Sequence, residues 1–153
     1  MITFLSLAVA TALGVGYVPI APGTAGSAVG LVLWAILPAS AVVQTTVILV
    51  MLVAGSITGS VAEKHFKRTD PRQVVLDEVM GMLITLYHIP GLTWFGAAIG
   101  FLVFRAADVV KPFPANRLER LHGGLGIMAD DAMAAVYANL VLRLILLMFP
   151  ILR

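Results

Sequence analysis

From Ala28 to Ala62 the chain has no Asp, Glu, Lys or Arg, and a second uncharged run extends from Val79 to Phe104. A chain of 153 residues that is 60% hydrophobic and 12% charged, with a mean hydropathy of +1.01, does not describe a water-soluble domain. It reads as an integral membrane protein. Inside a bilayer only helices and closed barrels satisfy the backbone, and these runs lack the period-2 alternation of barrel strands. The expected fold is therefore all-α, a single membrane-embedded helical bundle domain over 1–153 with short or broken transmembrane helices. Membrane lipids, and no nucleic acid, are the expected partners.

A bilayer core of roughly 30 Å takes about 20 helical residues, so 28–62 is too long for one span. Leu37-Pro38-Ala39-Ser40 supplies a break, which predicts a short helix over about 27–37 and a longer one over about 42–65. Pro90-Gly91 interrupts the second run in the same way, leaving either a kinked pass or a hairpin. Lys64, Lys67, Arg68 and Arg72 precede that run, and Arg105, Lys111, Arg117 and Arg120 follow it. A hairpin keeps both groups on the cytoplasmic side, in line with the positive-inside tendency. Each leg would then measure about 20 to 24 Å and must tilt little, thin the bilayer or stop partway. A last helix is expected over about 131–149, with Arg143 snorkelling to the far interface. Residues 1–12 lack a basic region and a small-residue cleavage site, and read as a retained helix rather than a signal peptide. With no cysteine, disulfides, thiolate metal sites and a Cys phosphatase nucleophile are excluded.

Five of the eight acidic residues, Asp77, Glu78, Asp108, Asp130 and Asp131, border the long apolar runs. A carboxylate near hydrocarbon is costly unless paired, solvated or bound to a cation, so acids kept there point to a site for a hard metal ion. Four local patterns surround them. The irregular segment 14–27 contains Pro22-Gly23-Thr24-Ala25-Gly26-Ser27 and leads into a helix, whose free N–H groups and dipole suit a phosphate. Gly23 and Gly26 would let a ligand approach, and Thr24 or Ser27 would donate or cap; the bland alternative is an ordinary capped turn. In the second pattern, Asp77 and Glu78 project about 100° apart, and Gly81 leaves room one turn later. Two acids decorating a helix N-terminus is the competing explanation.

The third pattern spaces Arg105, Asp108 and Lys111 at i, i+3, i+6 before Pro112 and Pro114 end the helix. Arg and Lys can bind phosphate oxygens while Asp108 orients them or joins the metal; an interfacial ion-pair ladder is the alternative. The fourth, Gly123-Gly124-Leu125-Gly126 through Asp130-Asp131, combines a glycine-rich approach with two carboxylates at the expected start of the last helix. Capping by Asp130 would explain one acid and leave Asp131 over. His122 reads as interfacial, and His65 and His88 show no metal-ligand spacing.

In order along the chain, PGTAGS, DPxxxxxDExxG, FRxxDxxKPxP and GGLGxMxDD resemble the phosphatidylglycerophosphatase A family of small bacterial membrane lipid phosphatases. The resemblance implies Mg²⁺-dependent hydrolysis of phosphatidylglycerol phosphate to phosphatidylglycerol and inorganic phosphate in phospholipid biosynthesis. It also implies a multi-pass protein of the bacterial inner membrane whose site faces the cytoplasm. By matching positions it brings Gly23, Thr24, Asp77, Glu78, Arg105, Asp108, Lys111, Asp130 and Asp131 into the candidate site.

The chemistry is consistent with that family. A lipid phosphomonoester needs its charge neutralised, its leaving oxygen stabilised and a water aimed in line. Asp77, Glu78, Asp130 and Asp131 are expected to hold Mg²⁺, and Gly23, Thr24, Gly26, Ser27, Arg105 and Lys111 to bind substrate. Asp108 is the expected general base or a further ligand, working with Asp130, Asp131, Arg105 and Lys111 on a metal-activated water. An aspartyl-phosphate route is the alternative, although the DxDxT/V nucleophile motif is absent. A small cation-binding transporter or channel subunit is the competing class, and the DGxxAR signature of CDP-alcohol transferases is missing.

Overall fold

A computed structural model describes residues 1–118, 121 and 123–152, so the readings of Arg120 and His122 concern residues outside the described ones. Among the described residues the fold is all-helical, as expected. The helices are α1 (Ile2–Ala10), α2 (Pro22–Ile36), α3 (Ala41–Phe66), α4 (Leu76–Thr85), α5 (Trp94–Val110), the single turn α6 (Ala115–Leu118) and α7 (Gly124–Met148). Helices α3 and α7, of 26 and 25 residues, reach about 39 and 37 Å. Only 17% and 33% of their apolar windows are buried within the bundle. Leu49, Val50, Val53 and Ile57 on α3, and Leu140, Val141, Leu144 and Leu147 on α7, point outward. Such a surface is an aggregation liability in water and the matching surface for lipid. The molecule is a membrane helical bundle.

At its centre lies α4, which packs against α2, α3, α5 and α7. Leu76, Val79, Met80, Met82 and Leu83 leave no polar stripe on it, the pattern of a helix buried on all sides. Only Glu78 and Ile84 of its ten residues are less than fully buried. At about 15 Å it stops partway across a bilayer, shorter than the expected leg. Pro90-Gly91 falls in the turn that follows, and Thr93 caps α5 by accepting from the Gly96 N–H at 3.1 Å. The legs run antiparallel, since Gly81 of α4 abuts Phe104 of α5 while Leu86, after α4, abuts Gly100.

Two helices begin earlier than the sequence predicts. Helix α2 starts at Pro22, so PGTAGS forms its first turns rather than a loop. Pro suits this first position, where its missing N–H costs no helical bond. A Cβ on Gly26 would lie 2.9 Å from the Val75 carbonyl oxygen, and one on Gly30 would lie 2.6 Å from that of Val79. Helix α7 starts at Gly124 instead of near Asp131. Its first N–H donates to Ser60 Oγ at 2.8 Å, and a Cβ on Gly124 would lie 2.9 Å from Gly55 O. Glycine thus serves close approach of two backbones here. Asp130 is consequently not a cap: Gly123 holds the N-cap position and Asp130 sits in the second turn.

Candidate active site

Four helix ends meet on one side of the bundle: the starts of α2 and α4, the end of α5 and the second turn of α7. Asp77, Glu78 and Asp131 converge there, with one carboxylate oxygen from each lying within 4.8 Å of the others. Asp77 and Asp131 are 6% and 4% exposed. Asp77 Oδ1, Glu78 Oε2 and Asp131 Oδ2 are buried without a hydrogen-bond partner. Buried oxygens are normally satisfied, and three carboxylates this close repel one another. An all-oxygen donor set with unpartnered atoms fits a hard divalent cation such as Mg²⁺.

Asp130 turns elsewhere. Lys111 Nζ donates to Asp130 Oδ2 at 2.6 Å, and the Asp131 N–H donates to Asp130 Oδ1 at 3.0 Å. Consecutive helical residues diverge by about 100°, so one member of the doublet faces the acid trio and the other faces the end of α5. Of the four acids expected to share an ion, three are thus brought together and the fourth is paired with a lysine.

Arg105 Nη1 lies 2.6 Å from Asp108 Oδ2 and 4.0 Å from Glu78 Oε1. The nitrogen is buried yet makes no aligned hydrogen bond, which leaves donor capacity facing the carboxylates. Asp108, paired with Arg105 as the i, i+3 spacing predicts, also faces Glu78 and Asp131. Lys111 closes α5 in the left-handed conformation at φ 46°, and its N–H donates to Ala107 O at 2.8 Å. That turn swings its side chain from the axis of α5 toward α7.

On α2, a Cβ at Gly23 would run into the Glu78 carboxylate and come within 3.2 Å of Arg105 Nη1. Gly23 therefore makes room for protein side chains. Gly26 packs on Val75 and the Glu78 Cβ, while Ser27 is fully buried and its hydroxyl donates to Gly23 O at 2.9 Å. Both face the helix interface rather than the open side of the acids. Thr24 is half-buried in the first turn. The room at Gly81 is taken by the Phe104 ring. Lys64, Lys67, Arg68, Arg72 and Arg117 are exposed.

Arg143, half-buried, directs its guanidinium to the turn that follows α4, away from the acids. Its Nε donates to Asn139 Oδ1 at 2.8 Å, and its Nη2 donates to the carbonyls of Tyr87 and His88 at 3.0 and 3.1 Å. Asn139 was not singled out from the sequence, although an amide four residues before an arginine on an apolar helix is itself a signal.

Comparison with known proteins gives a consistent picture. The family pattern described as phosphatidylglycerophosphatase A matches residues 8–146. The chain is 36% identical to the phosphatidylglycerophosphatase A of Escherichia coli K12 over 131 residues, 83% of this chain and 75% of that protein. With the Haemophilus influenzae Rd protein of the same name it shares 36% over 135 residues, 86% of this chain and 83% of that one. A Bacteroides thetaiotaomicron protein with the provisional name phosphatidylinositol-3-phosphatase is 37% identical over 144 residues, 89% and 90% of the two chains. No solved structure matches the chain.

Proposed function

The chain belongs to the phosphatidylglycerophosphatase A family, and on that premise we propose that it hydrolyses phosphatidylglycerol phosphate to phosphatidylglycerol and inorganic phosphate with Mg²⁺. The observation that carries the reading is the meeting of Asp77, Glu78 and Asp131 beside Arg105, each acid with a buried oxygen left over. Asp77, Glu78 and Asp131 would hold the ion. When bound, Mg²⁺ would neutralise phosphoryl charge and make an attacking water more acidic.

The remaining work falls to side chains. Arg105, with donors not aligned to its acidic neighbours, would take phosphoryl oxygens, for which a planar guanidinium is well shaped. Asp108 holds Arg105 in place at 2.6 Å and is the nearest acid outside the trio able to accept a proton from water. Lys111, held by Asp130, would supply a second cation at the rim. The N-terminus of α2 directs its dipole at the same place, with Gly23 giving Glu78 the space to stand there. Direct attack of water is preferred to an aspartyl-phosphate, because each acid of the trio is engaged with charge neutralisation.

The exposed cations near these helix ends favour a site facing the anionic inner leaflet of the cytoplasmic membrane, in a multi-pass protein. A transporter would be expected to mark a path across the bilayer with its acids, whereas these gather at one end of the bundle. The named relatives differ in headgroup but share a phosphomonoester on a lipid. Purified protein in mixed micelles, given phosphatidylglycerol phosphate, phosphatidylinositol 3-phosphate and phosphatidic acid at equal mole fraction, tests the assignment. The highest kcat/KM is expected for phosphatidylglycerol phosphate. A preference for either of the others would reassign the substrate.

A further inference from the structure

We infer that Asn139 and Arg143 are positioning residues that fix the register of α4 against α7 and so hold Asp77 and Glu78 level with Asp131. This inference rests on the reading of those acids as the active site. Asn139 Nδ2 faces three carbonyl oxygens at the end of α4 and just beyond, Ile84 at 3.2 Å, Thr85 at 2.9 Å and Tyr87 at 3.3 Å. Arg143 orients that amide through Asn139 Oδ1 and adds its own bonds to Tyr87 O and His88 O. Ile84 and Thr85 belong to the last turn of α4 and Tyr87 and His88 follow it, a helix end where a cation is favourable; Ile84 O also accepts from the Tyr87 N–H at 3.1 Å.

A local cap would do the same for stability. What differs is the source of the donors, since they come from the helix that also carries Asp131. Asp77 and Thr85 on α4 are separated by the same number of residues as Asp131 and Asn139 on α7 (85 − 77 = 139 − 131 = 8). The two helices therefore run parallel and in step, touching through carboxylates at one end and through the amide at the other. Little else between α4 and α7 is directional. Glu78 approaches Arg105 at the site end, and beyond the far end α3 bonds Tyr87 through Thr45 and accepts from the His88 N–H through Gln44 Oε1 at 3.1 Å; toward α7 the packing is otherwise apolar, and Met80 and Met82 are pliable side chains. A slip of one residue would displace the acids by about 1.5 Å, where a working site tolerates about 0.5 Å.

The native chain has no cysteine, so full-length Asp77→Cys/Asp131→Cys in detergent reports the juxtaposition without metal or turnover. Bridging by a short bifunctional thiol reagent, which spans a gap like that between the carboxylate oxygens, is compared in that background and after adding Asn139→Leu, Arg143→Met, Arg143→Lys or Thr45→Val. Thr45 hydroxyl pairs with the Tyr87 hydroxyl at 2.9 Å, which makes it a control at the same end of α4. Slowing of about tenfold is expected for Asn139→Leu and Arg143→Met, the scale of losing register-selecting hydrogen bonds, with partial recovery for Arg143→Lys and none needed for Thr45→Val. With the native acids restored, Asn139→Leu should weaken binding of Mn²⁺ alone, read by electron paramagnetic resonance. Unchanged cross-linking in Asn139→Leu and Arg143→Met would overturn the register lock, as would equal slowing by Thr45→Val. No cross-link in the parent pair would instead sink the active-site reading beneath it.

Discussion

Asp131→Asn and Asp130→Asn should move stability in opposite directions. Asp131 Oδ2 is buried without a partner, and the trio it belongs to lies within 4.8 Å. At an effective dielectric constant of 20, two unit charges at that separation repel by about 3 kcal/mol. An amide at this position keeps the shape of the acid and removes its repulsions with Asp108, Glu78 and Asp77, so the cation-free protein should gain stability while its cation affinity falls. Asp130→Asn instead removes the charged half of a 2.6 Å pair with Lys111, 4% exposed on the acid side. Breaking such a pair costs about 3 kcal/mol, less here because the Lys111 side chain is 23% exposed. Thermal unfolding in detergent, first in EDTA and then in rising Mg²⁺, separates the cases. Asp131→Asn should melt at or above wild type in EDTA, gain nothing from Mg²⁺ and lose turnover on the order of 100-fold. Asp130→Asn should melt lower in EDTA and still respond to Mg²⁺. Wild-type Mg²⁺ stabilisation and full turnover in Asp131→Asn would refute the carboxylate-held ion.

Cysteines introduced singly at Lys67 and Arg117 should react with an impermeant thiol reagent from the same, cytoplasmic, side; opposite-side labelling would break the hairpin and the assembled site. Gly23→Val should raise KM or abolish turnover in a folded bundle, because its side chain would displace the Glu78 carboxylate; unchanged kinetics would remove α2 from the site. Ser60→Ala should lower thermal stability by about 1 kcal/mol through loss of the 2.8 Å acceptor at the start of α7, with KM unchanged in the folded fraction; a KM shift would implicate this turn in binding.

The sequence marked the helix breaks well, since Pro38 and Pro90-Gly91 cannot continue a helix whatever surrounds them. The starts of α2 and α7 lie earlier than expected because their glycine-rich segments, which read as irregular approaches to a ligand, are helical turns. In this bundle Gly26, Gly30 and Gly124 are helical and lie where another backbone comes too close for a Cβ. The site's membership was legible from residue types near apolar runs. Its division of labour was not, although adjacent helical residues diverge enough to warn that Asp130 and Asp131 face different neighbours. The role of α4's far end was hidden for another reason. Carbonyls carry no sequence signature, so the demand that Asn139 and Arg143 meet becomes visible only once the helix is seen to stop inside the bundle.

Phosphate release from phosphatidylglycerol phosphate by full-length protein, stripped of metal with EDTA and then titrated with Mg²⁺, tests the account most directly. Release should be absent in the stripped protein, return saturably with Mg²⁺, and stay absent in Asp131→Asn across the same range. Release that persists without divalent cation, or is equally restored in Asp131→Asn, would contradict a phosphatase built on the Asp77, Glu78 and Asp131 trio.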